Sequence, residues 1–143
     1  MGLSGFDPVP LRRGVLVAST GSGLAINVSG AVALKKGTDY STVGSTNNVD
    51  FGNTSLVRLT GASAQTITGI SGGSDGELLT IINAASQSAT ISNDSASSTA
   101  ANRIKTGTGA DLTLAADATI SLVYDSSASR WRVVGGTGGS AAY

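Results

Sequence analysis

From Phe51 onward, apolar positions recur in short runs that alternate with polar ones, each too brief for a helix and bounded by turn residues. The runs are Leu56-Val57-Arg58-Leu59, Thr66-Ile67-Thr68, Leu78-Leu79-Thr80-Ile81-Ile82 and Ala89-Thr90-Ile91, then Asn102-Arg103-Ile104, Leu112-Thr113-Leu114, Thr119 to Tyr124 and Arg130 to Val134. Their centres fall roughly every 8–13 residues, the spacing of short strands in a sandwich or barrel. The breaks carry turn chemistry: Ser71-Gly72-Gly73-Ser74-Asp75-Gly76 holds residues that tolerate positive φ, Gly107 to Asp111 is similar, and Asp125 to Ser129 reads as a hairpin loop. In the two strands flanking that loop, Ile120, Leu122 and Tyr124 share one face, and Trp131 and Val133 share another. These five side chains are the expected core anchors. The pattern predicts an all-β fold, a jelly-roll-like β-sandwich over residues 51–135 with an extended N-terminal arm.

Residues 1–50 differ. Asp7-Pro8-Val9-Pro10 favours extended backbone, and the apolar runs Gly14 to Ala18, Leu24 to Val28 and Ala31 to Leu34 are separated by flexible spacers. Asp39 to Asn48 is polar and turn-rich. This third reads as an arm, partly stranded and ordered by contact with a partner. Leu11, Arg12, Arg13, Val15 and Leu16 are the partner-binding candidates, because paired guanidinium groups can take a carboxylate in two-pronged fashion; a solvated pair is the plain alternative. Residues 136–143 read as a Gly-rich tail.

Composition sharpens the picture. Charged residues make up 13% of the chain, about half the usual share, with acidic and basic groups balanced at nine each. Two prolines and zero formal net charge argue against disorder of the regular part. Only Arg12-Arg13 and Lys35-Lys36 pair basic residues, too little to meet a phosphate backbone, so no nucleic-acid partner is expected. With no cysteine and no histidine, disulfides, thiolate sites and the commonest general base are absent. No apolar run approaches the roughly 20 residues that span a bilayer, and no membrane partner or signal peptide is expected.

Candidate chemistry is thin. Gly21-Ser22-Gly23 and Gly107-Thr108-Gly109 lack the helix and the Lys of a phosphate-cradling loop and read as turns. Asp111, Asp117 and Asp125 lack calcium-loop spacing and a cleft for paired carboxylates, so surface turns are their expected place. Trp131 beside Tyr124 could stack on a sugar, but a single Trp on an alternating strand is expected in the core. The reading is of a protein that is not an enzyme, with no catalytic residue, no metal ligand and no cofactor. Its few large side chains leave a thin core, which makes association between copies the source of further burial.

Between Leu56 and Val134 the chain resembles a module of tailed-bacteriophage virion proteins. The resemblance is carried by Leu59-Thr60-Gly61, Ile67-Thr68-Gly69-Ile70, Asp75-Gly76-Glu77-Leu78-Leu79-Thr80-Ile81-Ile82-Asn83, Asn93-Asp94-Ser95, Asn102-Arg103-Ile104, Tyr124-Asp125 and Arg130-Trp131-Arg132-Val133. Similar modules occur in capsid decoration (cement) proteins and in tail fibres, often as trimers. It implies a structural protein of the virion, made in the bacterial host cytoplasm. The first expectation is a homotrimeric decoration protein on the capsid exterior, which stabilises the head at junctions between major capsid protein subunits. The alternative is a tail-fibre or spike domain that recognises the host surface.

Overall fold

The computed structural model describes Gly21 and residues 26–139. By its internal contacts the chain divides into two units, Met1–Ala33 and Leu34–Tyr143. In the first, residues 26–33 carry no regular element and are exposed. Among its described residues the second is all-β, with eight strands: β1 (Gly44–Thr46), β2 (Leu56–Leu59), β3 (Gln65–Ile67), β4 (Leu78–Asn83), β5 (Ala89–Ile91), β6 (Ile104–Lys105), β7 (Leu112–Asp125) and β8 (Arg130–Gly139). A short 3-10 turn at Ala100–Asn102 precedes β6.

The first five strands are laid down as stacked passes of the chain. Lys36 lies in a parallel bridge with Leu56, and Leu56 is in parallel register with Thr80. The next side repeats the pattern: Gly44, Gln65 and Ala89 share one rung, and Thr46, Ile67 and Ile91 another. Val49 bridges Ile70 at the following corner. Each pass therefore places its inward residues over those of the pass before. Val57 meets Ile81, and Ile67 meets Ile91, all fully buried. Both stacks contribute to one apolar cluster, which is what makes the unit a sandwich.

β7 closes it. Its first part, Leu112 to Leu114, is antiparallel to β5, and its second, Thr119 to Val123, is antiparallel to β4. The change of partner falls at Ala115 to Ala118, where Asp117 takes φ +63°, and the register with β8 also shifts between Leu114 and Thr119. An inserted, bent stretch of this kind is a bulge, and it lets one strand serve two stacks. β8 follows by a turn at residues 126–129, lies antiparallel to β7, and pairs with β6 through Ile104 and Trp131.

Two buried amides hold the corners. Gln65 donates from Nε2 to the carbonyls of Tyr40 (3.1 Å) and Thr42 (2.8 Å), and its Oε1 accepts from Gly61 N–H. Asn83 is fully buried; its Nδ2 lies 2.8 to 3.1 Å from the carbonyls of Gln87, Leu114 and Ala115, and its Oδ1 accepts from Ala85 N–H. No buried side-chain polar atom among the described residues lacks a partner. Polar groups in an apolar interior cost free energy unless bonded, and here they serve carbonyls that the turning chain would strand.

The class and the layering are those the pattern predicted. Within them the neighbours are mixed, parallel in the passes and antiparallel around β7, where a jelly roll pairs strands antiparallel throughout. Pairing begins at Lys36, ahead of Phe51, and β1 falls within the stretch that read as polar and turn-rich. Its side chains are mostly exposed, so no apolar alternation marks it, and main-chain bonds to β3 make the strand. The runs at Leu112 and Thr119 form one strand, and β8 continues through the glycines to Gly139 because β7 supplies main-chain partners. Leu11, Arg12, Arg13, Val15 and Leu16 lie outside the described residues.

Two substitutions test this account by urea denaturation. Asp117→Val places a β-branched residue at positive φ and is expected to destabilise by roughly 1–2 kcal/mol, whereas Asp117→Gly is neutral or slightly stabilising. Asn83→Ala strands several main-chain groups in the core and is expected to cost roughly 3 kcal/mol or more.

Candidate functional site

Where Val49 bridges Ile70, two loops leave the stack side by side: Asp50 to Ser55 leads to β2, and Ser71 to Glu77 leads to β4. Between them lies a depression of about 420 Å³. Its apolar floor is formed by Ile70, Leu79 and Trp131, each almost completely buried. Its rim is polar: Asp50, Asn53, Ser71, Ser74 and Glu77, with the partly buried Phe51 ring beside them.

Both loops are set by their own hydrogen bonds. Asp50 Oδ1 accepts from Gly52 N–H at 2.7 Å, and Gly52 has φ +71°, a turn suited to glycine. Glu77 Oε2 accepts from Ser74 N–H at 2.9 Å, while Glu77 N–H donates to Ser74 O. Phe51 is held edge-on against Tyr40, ring centres 5.3 Å apart. Beneath the rim, the Trp131 indole N–H donates to Ile70 O at 2.9 Å, so its polar edge is already used. The Tyr124 ring lies 5.3 Å from Trp131 in a T-shaped contact, and its hydroxyl donates to Ala101 O. Gly73 passes so close over the Tyr124 ring that a β-carbon there would collide with it.

Chemically the depression is a polar-rimmed cup with an apolar base. Two carboxylates, an amide and two hydroxyls ring an apolar base, and no cation lines it. That set suits a neutral or basic ligand rich in hydroxyl donors and disfavours an acidic one. Among the described residues no cluster of three or more acidic, His or Cys groups could hold a metal, and no helix is long and apolar enough to cross a membrane.

The residues singled out in the sequence fall as follows. Ile120, Leu122, Tyr124 and Trp131 are buried in the apolar cluster, with Val133 partly buried against it. Asp111 Oδ1 accepts from Asn93 N–H, Asp117 occupies the β7 bulge, and Asp125 pairs with Arg132 at 2.6 Å. Arg130 binds Asp94 at 2.9 Å; Asp94 also pairs with Lys105 at 2.8 Å. The sequence assigned no ligand-binding role to the rim residues Asp50, Asn53 and Glu77. Two Gly-bearing turns were the visible signal, but nothing in the chain says that these turns lie side by side.

Residues 38–132 match the family model described as the phage depolymerase C-terminal beta sandwich domain. No curated protein matches the chain. The matched range starts in the first pass of the stack and ends in β8, so it contains the whole lining of the depression.

One electrostatic feature near β6 is open to test. Hydrogen bonds from Lys105 and then Arg130 hold the Asp94 carboxyl below its ordinary range. A carboxylate with a depressed folded pKa contributes stability above its unfolded pKa and loses it as pH falls through the folded one. Thermal denaturation of Asp94→Asn beside the parent chain is expected to show a deficit at neutral pH. That deficit shrinks steadily below about pH 4.

Proposed function

The chain belongs to the phage depolymerase C-terminal beta sandwich domain family, and from that membership we propose that it is a structural, non-catalytic module of a tail fibre or spike that engages the host surface. The family match over residues 38–132 carries the reading. It makes the protein a phage β-sandwich module, and it favours the tail over the capsid decoration role that the sequence first suggested. In this reading the chain works as a homotrimer, and the Asp50–Glu77 depression receives neutral hydroxylated groups of the cell surface. The carboxylates and Asn53 supply hydrogen-bond acceptors, and the apolar floor meets the ligand's carbon face.

Two measurements test it. In purified particles, quantitative mass spectrometry is expected to find a few copies of the chain per hundred major capsid subunits, with antibody label on the tail. A ratio near one to one, with label on the head, overturns the tail reading and restores decoration. For the depression, Asn53→Ala combined with Glu77→Ala is expected to weaken attachment of the purified chain to host cells by about tenfold, a loss of roughly 1.4 kcal/mol. Unchanged attachment by the folded variant removes the depression from the proposal.

A further inference from the structure

Four of the chain's nine basic residues converge on one patch of surface, although no two of them adjoin in the sequence. Ile104 of β6 lies beside Trp131 of β8, and Lys105 beside Arg132. Trp131 N–H donates to Arg103 O at 3.0 Å, so Arg103 and Arg130 stand one residue earlier on each side. Ile104 and Trp131 point inward and are buried. By alternation, Arg103, Lys105, Arg130 and Arg132 all turn to the outer face. Their backbone positions mark a rectangle roughly 5 Å across the strands and roughly 7 Å along them.

This arrangement opposes what a sheet prefers. Like charges side by side on neighbouring strands destabilise, and here two consecutive rungs carry them. Only two carboxylates answer the four cations. Asp94 takes Lys105 Nζ at 2.8 Å and Arg130 Nε at 2.9 Å, and Asp125 takes Arg132 Nε at 2.6 Å. Asp75, on the loop before β4, accepts from Ser126 N–H and pairs with none of the four. These bonds fix the cations in place without using them up. Arg103 donates from Nε to Ser98 O, and the terminal amino groups of Arg103 and Arg132 donate to no described residue. The side chains of Lys105 and Arg132 are 42% and 47% exposed, so a ligand can reach them.

We propose that this β6–β8 face binds a phosphate monoester carried on a sugar of the host surface. Charge selects the phosphate. Four cations less the two carboxylates that bond them leave +2, and a phosphate monoester carries about −1.5 to −2 at pH 7, where a carboxylate carries a single charge. Shape selects it too. The three terminal oxygens of a phosphate diverge and can accept from both strands at once, whereas the two coplanar oxygens of a carboxylate suit one guanidinium fork. The sugar as carrier rests on the reading that the chain engages the host surface; the phosphate rests on the cations alone.

Isothermal titration of the purified chain with glucose 6-phosphate, glucose, glucuronate and inorganic phosphate tests this. Glucose 6-phosphate is expected to bind, glucuronate and inorganic phosphate to bind several-fold more weakly, and glucose to give no heat. Raising salt from about 0.05 to about 0.5 M is expected to weaken the binding. Arg103→Gln with Arg132→Gln is expected to weaken it by about tenfold or more with unchanged circular dichroism, while Arg58→Gln, which removes a cation paired with Asp39 on β2, leaves it intact. Binding that ignores the double substitution overturns the site. Glucuronate bound as tightly as glucose 6-phosphate overturns the choice of phosphate. Inorganic phosphate bound as tightly as the sugar phosphate means an adventitious ion only and overturns the sugar as carrier. None of the four basic residues lines the depression, so failure here leaves its attachment test standing, and the reverse.

Discussion

Every other contact in the folded unit depends on one strand bonding to two stacks at once. The parallel passes alone would be a pile of short strands, three to six residues each, with open rims. Pairs that short are weak, and parallel ones slightly weaker per residue than antiparallel ones. β7 runs antiparallel across both stacks, to β5 by Leu112–Leu114 and to β4 by Thr119–Val123. It thereby converts two piles into one sheet with a shared interior. The bulge around Asp117 is the geometric condition for this, since a straight strand could follow only one stack.

From this constraint follows what was legible in the chain. Strands whose inward residues are apolar announced themselves by alternation: β2, β4, β5 and both parts of β7 stand where the pattern put them. Strands made by main-chain bonds without an apolar face were silent. β1 carries Gly44, Ser45 and Thr46, and the end of β8 is mostly glycine, so each is defined by its neighbour. Pairing direction was silent too, because alternation reports which face is buried and not which way the partner runs. The rungs Lys36–Leu56–Thr80 and Gly44–Gln65–Ala89 share no side-chain type that would advertise a repeat.

The corners explain why so lightly charged and weakly aromatic a chain can hold this shape. A chain that reverses direction within the interior leaves carbonyls without strand partners. Gln65 and Asn83 meet that need with single side chains, each bonding several main-chain groups. A third corner is built by Asn48, whose Oδ1 accepts from Thr99 N–H and from Asn102 Nδ2, with Ser98 and Thr68 bonded beside it. Amides read in isolation look like loop residues. Their role appears only once the passes are stacked.

The same stacking places the candidate site. Asp50 and Glu77 sit on loops that leave successive passes at neighbouring points, joined below by the Val49–Ile70 bridge. Trp131 lies under both because Ile104 in β6 and Tyr124 in β7 flank it in the ladder, and its indole hydrogen bond to Ile70 ties the hairpin to the corner. The residue that looked most like a sugar platform in the sequence is thus the support of the site and not its surface. The polar groups of the rim stand on the short loops above it. A floor of buried side chains lies under rims whose carboxylates are fixed by main-chain hydrogen bonds, Asp50 to Gly52 and Glu77 to Ser74, so the acceptors are held in place.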